Sequence, residues 1–175
     1  MISPLRRIAA ASLISVLALS GAALAQQGQP KLVKQTTHGD WDIVCVEGTD
    51  TCRMEQTGKT DQNEPILAVS IERVSGASIN GQAYPSVITM VAPLGTLLPA
   101  ISAKIDSAEP KLLPFERCLS NGCFARSPMI DETVSSLKKG SKMLVEFRRG
   151  RMVSVSISLR GFTKAYNSLK PIPAQ

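Results

Sequence analysis

The sequence holds a single histidine, His38, and that scarcity removes several chemistries at once. A catalytic zinc site draws on three protein ligands, often several of them imidazoles, and one histidine cannot supply them. A Ser–His–acid triad would have to use His38 as its base, yet nothing in the sequence sets a nucleophile beside it. Neither a Gly-x-Ser-x-Gly turn nor a phosphate-cradling glycine-rich loop occurs. No C-x-x-C pair is present, which argues against thiol–disulfide exchange. Acidic residues are scattered, and no pair stands out as a general acid and base. The sequence therefore predicts no catalytic residue, no metal ligand and no cofactor. Internal repeats are lacking, and so is the strand–helix alternation that builds a parallel sheet.

The first thing present is an address. "MISPLRRIAAASLISVLALSGAALAQQ" begins with Arg6 and Arg7, continues through an apolar run from Ile8 to Leu19, and reaches Ala23-Leu24-Ala25. This is the pattern of a cleaved secretory signal peptide over residues 1–25, with Gln26 as the first mature residue. The run falls short of the roughly 20 apolar residues that span a bilayer. No later segment reaches that length, so no transmembrane segment is expected after cleavage. Loss of the two arginines takes the formal net charge from +6 to about +4. That mild excess does not point to nucleic acid, and the expected destination is periplasmic or secreted.

All four cysteines, Cys45, Cys52, Cys118 and Cys123, fall in the mature part. An even number in an exported chain reads as disulfides. Zinc would favour two closely spaced pairs, and only the Cys118/Cys123 spacing fits. Three pairings exist. A long-range bridge would stabilise by about 4.5 kcal/mol and each local one by about 2–2.5 kcal/mol in the chain-entropy model, so energy does not choose among them. Turn residues favour the local pairing, Cys45–Cys52 and Cys118–Cys123: Gly48-Thr49 lies inside the first pair and Asn121-Gly122 inside the second.

Residues 26–38 are polar and without period, and read as a flexible lead-in; regular structure is expected from about Asp40. In "DWDIVCVEG" Trp41, Ile43 and Cys45 share one face, and "TCRMEQTG" follows after a turn, which predicts a hairpin with Cys45 opposite Cys52. "PILAVSIERV" reads as a central strand buried on both faces, "SGASINGQA" as a turn, and "PSVITMVAP" as a further strand. "LGTLLPAISAKID" reads as short apolar pieces broken by Pro99. "KLLPFERC" and "CFARSP" flank a tight turn. "DETVSSLKKG" is a helix with Asp131 as cap and Gly140 as stop. "KMLVEFRRGRMVSVSISL" alternates on both sides of "RRGR" and predicts a hairpin with one wet face. Phe162, Ala165, Tyr166 and Leu169 give a last short helix one apolar face. Short strands, frequent turns and two short helices make an all-β sandwich.

Arg148, Arg149 and Arg151 crowd one hairpin tip, with Lys138, Lys139 and Lys142 just before that hairpin. They form either a surface for anionic lipid, lipopolysaccharide or another polyanion, or simply a solvated turn beside a helix end that favours cations.

"GDWDIVC" with "CRMEQ", "PLGTLLPA", "LPFERCLSNGCFA", "LKKGSKMLVEF" and "VSISLRGFTKAY", taken in this order, resemble the invasion-associated locus B family of exported bacterial proteins. The resemblance spans about Gly39 to Leu169. It implies an immunoglobulin-like β-sandwich over residues 39–170, followed by a tail at 171–175, and it supplies no catalytic residue or cofactor. One departure is that the family pattern leads us to expect a glycine near Ala100, after a turn at Pro99. Three functions are compatible with these features. The first is a non-enzymatic binding or accessory protein acting on an envelope or host-surface protein. The others are a hydrolase of envelope polymers and a structural protein that stabilises the envelope.

Overall fold

Alternation of apolar and polar residues decides most of the architecture, because a strand with one apolar face must lay that face on another layer. The computed structural model describes residues 30–173; the expected signal peptide at 1–25 lies outside the described residues. The elements are β1 (Leu32–His38), β2 (Trp41–Val46), β3 (Cys52–Lys59), β4 (Pro65–Ser75), β5 (Ser78–Ile79), β6 (Gln82–Ala83), β7 (Ser86–Ala92), β8 (Leu97–Ile105), β9 (Lys111–Leu119), β10 (Gly122–Met129), α1 (Asp131–Lys139), β11 (Lys142–Arg149), β12 (Arg151–Ser158), α2 (Phe162–Ser168) and β13 (Ile172–Pro173). The main ladder runs β1-β2-β3-β4-β7-β10-β9-β8-β11-β12, with β13 added to β4; β5 and β6 form a separate hairpin.

This ladder is an all-β sandwich folded out of one sheet. Strand β9 belongs to both layers: Lys111 to Pro114 pair with β8, while Phe115 to Leu119 pair with β10, with a register irregularity at Phe124/Ala125. The first layer is therefore β1-β2-β3-β4-β7-β10 and the second β8-β11-β12. Strands β8, β9 and β10 follow one another as hairpins, and β11 returns through α1 to lie beside β8, which is a Greek key. Between the layers sits one core, including Trp41, Met54, Leu67, Val69, Ile71, Met90, Ile101, Val145, Phe147, Val155 and Ile157, all at most 2% exposed.

Both expected disulfides are present. Cys45 pairs across from Cys52 and Cys118 across from Cys123, with Cα separations of 4.0 and 3.9 Å. The two staples sit at opposite ends of the first layer, since β3 runs from Cys52 toward Lys59 and β10 starts at Cys123 opposite Ala92.

Five local expectations change. Regular structure starts at Leu32, not Asp40: β1 pairs with β2 from Val46 to Trp41. Its side chains are mostly exposed, so backbone hydrogen bonding rather than apolar pattern recruits it. Pro99 lies inside β8, not at a turn. It falls in the stretch between Leu97, opposite Arg148, and Ser102, opposite Glu146, where the ladder is irregular, and a residue without an N–H is tolerated there. Helix α1 is preceded by Ile130, and Asp131 is its first helical residue, with no side-chain cap bond. The tight turn after β9 is Ser120-Asn121, and Gly122 already pairs with Leu119. In β4 only one face is fully buried, since Ala68 is exposed and Ser70 half-buried.

Three of the segments that carry the family resemblance, "GDWDIVC", "CRMEQ" and "VSISLRGFTKAY", meet at one end of the sandwich. Gly39 and Gly161 cross backbone to backbone, both with positive φ (62° and 86°). A Cβ at Gly161 would lie 2.1 Å from the His38 carbonyl oxygen, and one at Gly39 2.3 Å from that of Arg160. Around this crossing the Trp41 indole N–H donates to the Ser158 carbonyl at 3.0 Å, and the Gln56 amide both donates to that carbonyl and accepts from the Ser158 N–H. Phe162 meets Trp41 edge-on at 5.4 Å. Helix α2 thereby closes the end of the core, and the Tyr166 hydroxyl and buried Ser86 hydroxyl are 3.1 Å apart in a hydrogen bond.

Candidate functional site

Two exposed regions are built by the fold, and they lie on different layers. The first is the outer face of the first layer. Register places Glu55, Ser70, Thr89 and Arg126 side by side across β3, β4, β7 and β10. One row along lie Thr57, Ala68, Val91, Phe124 and Arg117. Small side chains occupy the middle of the first row, between Glu55 and Arg126, and in the second row Thr57, Ala68 and Val91 are short while Phe124 and Arg117 are long. Because a twisted sheet has a roughly constant backbone surface, this order hollows it: the centre is low and the flanks stand up. The result is a trough of about 680 Å3, bounded at one end by Ile172 and Pro173 of β13. Glu55 and Glu72 supply negative charge on one side, with Glu55 held by Arg53 at 3.1 Å. Arg117 and Arg126 supply positive charge on the other. A ligand lying across the strands would meet a half-apolar floor and charged walls of both signs.

The second region is the β11–β12 tip. Arg148 lies opposite Met152, and Arg149 opposite Arg151; Arg148 also faces Leu97 of β8. The Arg149 guanidinium Nε donates to the Leu94 carbonyl at 3.0 Å. Asp61 and Glu64, from the loop between β3 and β4, line a cleft with Arg149 and Arg151, but among the described residues no ion pair joins them. The lysines grouped with these arginines in sequence are elsewhere. Lys142 starts β11 and Arg149 ends it, so they stand about 24 Å apart at the usual rise per strand residue. Lys138 is engaged with Asn167 and lies over the Tyr166 ring.

His38 ends β1 opposite Trp41 and does not line the trough. Among the described residues no group of three His, Cys, Asp or Glu side chains could hold a metal ion. Both cysteine pairs are bridged, and among the described residues no helix is long and apolar enough to cross a membrane. The perturbed carboxyls belong to the scaffold. Hydrogen bonding from Arg160, then Ser158, holds Asp40 below the usual carboxylate range. Lys34, then Thr37, do the same for Asp42. Sequence reading located the arginines and the cysteines but missed the trough. The signal was there in the small residues Ala68, Ser70 and Thr89 at alternate strand positions, but only register shows that they are neighbours.

Comparison with known proteins gives a consistent result. The family model described as "Invasion associated locus B (IalB) protein" matches residues 41–170. An invasion protein B homologue of Brucella abortus strain 2308 is 28% identical over 145 residues, which is 79% of this chain and 80% of the relative. Its counterpart in Brucella abortus biovar 1 strain 9-941 matches to the same extent. The crystal structure of invasion associated protein B from Bartonella henselae superposes with a TM-score of 0.62 at 20% identity, covering 78% of this chain and 95% of that one, a likeness of fold.

Proposed function

Because this chain belongs to the invasion associated locus B family, we propose that it is an exported, non-enzymatic binding or accessory protein of the bacterial envelope. Its partner is an envelope or host-surface protein, bound across the trough on the outer face of the first layer. The observation that carries this reading is the trough itself: small, partly apolar residues under charged walls, on a rigid central sheet. Rigid floors of this kind favour binding because little order has to be imposed when the ligand arrives. The N-terminal secretory pattern and the pairing of all four cysteines in disulfides support the envelope location. The names of the relatives associate them with invasion, and a host-surface partner is the form of the proposal that follows those names.

The trough is open, and its carboxylate Glu55 is already committed to Arg53. Hydrolysis of envelope polymers is therefore the weaker alternative, and a purely structural role in the envelope leaves the trough without a use. The test is capture from envelope and host-surface extracts with the native protein and with Ala68→Trp/Ser70→Trp, which fills the floor at solvent-facing positions. Native protein should retain a defined partner that the filled variant loses, with both variants melting alike. Equal capture by both, or release of soluble fragments from envelope polymers by the native protein but not by Glu72→Gln, would overturn the proposal.

A further inference from the structure

The β11–β12 tip joins two properties that a merely solvated turn would not combine. It carries Arg148, Arg149 and Arg151, and among them stand three large apolar side chains exposed to water: Met152 at 62%, Leu97 at 52% and Leu94 at 49%. Register makes this one surface, since Leu97, Arg148 and Met152 are direct neighbours across β8, β11 and β12. The hydrogen bond from Arg149 to the Leu94 carbonyl ties the loop after β7 to the same tip. That loop is itself fixed, with the Thr96 hydroxyl donating to the Pro93 carbonyl at 2.7 Å. The apolar and cationic groups are thus held together at one end of the sandwich, remote from the Cys45–Cys52 staple.

We propose that this end docks on the surface of an anionic phospholipid membrane. Arginines at a membrane surface gain about 1 kcal/mol each from the negative surface potential, and their forked donors suit phosphate oxygens. A soluble polysaccharide or other polyanion would reward the three arginines equally. It would give nothing for Leu94, Leu97 and Met152, whereas the boundary between headgroups and acyl chains accepts apolar side chains beside cations. Charge complementarity is opposed locally by Asp61 and Glu64 on the adjoining loop, so attraction is moderate and reversible. The proposal stands apart from the trough, which opens on the other layer.

Sedimentation with vesicles tests it. Native protein should pellet with phosphatidylcholine vesicles containing phosphatidylglycerol and not with phosphatidylcholine alone, and added salt should weaken the binding. Each Arg→Ser change at 148, 149 or 151 should lower partitioning about fivefold. Leu97→Ser/Met152→Ser should lower it about tenfold while leaving binding to heparin unchanged. Asp61→Asn/Glu64→Gln should raise partitioning onto the anionic vesicles and leave the pellet with phosphatidylcholine alone, or with no vesicles, unchanged, a selective gain that exposure of the core by misfolding would not give. The inference is overturned if native protein stays in the supernatant with anionic vesicles. It is equally overturned if the apolar variant pellets as well as the native one, for then the arginines bind any polyanion and Leu97 and Met152 contribute nothing to docking.

Discussion

Single residues decide where this chain can bend and close. Gly161 is required because its φ of 86° is in the left-handed region and the His38 carbonyl occupies the space a Cβ would need. Asp40 and Arg160 then hold the crossing through a forked pair, with the guanidinium Nε 3.1 Å from Oδ2. Arg160 is largely exposed, so solvent screens the pair and its effect is modest, but its sign is fixed. The Asp40 carboxyl titrates below its ordinary 3.8, first through the hydrogen bond from Arg160. The unfolded chain therefore takes up this proton before the folded one does. The stabilisation is present above that ordinary value and is lost as pH falls through the depressed one. In thermal melts, the native protein should exceed Asp40→Asn above about pH 5, and the gap should shrink below the ordinary carboxylate value. A gap independent of pH would show that the pair contributes nothing through ionisation. Sequence reading offered no hint of this pair, because the partners are 120 residues apart.

At the level of elements, the β11–β12 hairpin was legible because alternation held through every cross-strand pair from Met143/Ile157 to Phe147/Val153. The cysteine hairpins were legible because turn residues separated opposed strands. Strand β1 was not, since its side chains are mostly exposed and only its backbone pairs. Pro99 misled for the reverse reason: the residue forbids a ladder bond, but the ladder is already interrupted where it sits. The Cys118–Cys123 hairpin makes an element-level prediction. Cys118 is exposed while Cys123 is buried at 2%, and the closed loop is short. Cys118→Ser/Cys123→Ser should thus cost about 2 kcal/mol in chemical denaturation with the fold retained, as β10 still pairs with β7 along its length. Loss of cooperative unfolding would mean that the staple, and not the β7–β10 ladder, holds this part of the first layer.

For the whole molecule, one sheet doubled through β9 leaves two outer faces with different characters. The face of β3, β4, β7 and β10 is hollow and bears charges of both signs, while the end of β8, β11 and β12 is apolar and cationic. A partner held in the trough and a membrane under the tip would occupy different surfaces, so the protein could present one to the other. The sandwich itself could be read from strand periodicity and family resemblance. The trough could not, because it arises from residues on four strands whose adjacency only the register supplies. The most direct measurement of the binding account is photocrosslinking in living cells from a photoreactive side chain at Thr89 on the trough floor, compared with one at Ser154 on the second layer. The account predicts a discrete crosslinked partner from position 89 that is absent from position 154; the same adducts from both positions, or none from position 89, would contradict it.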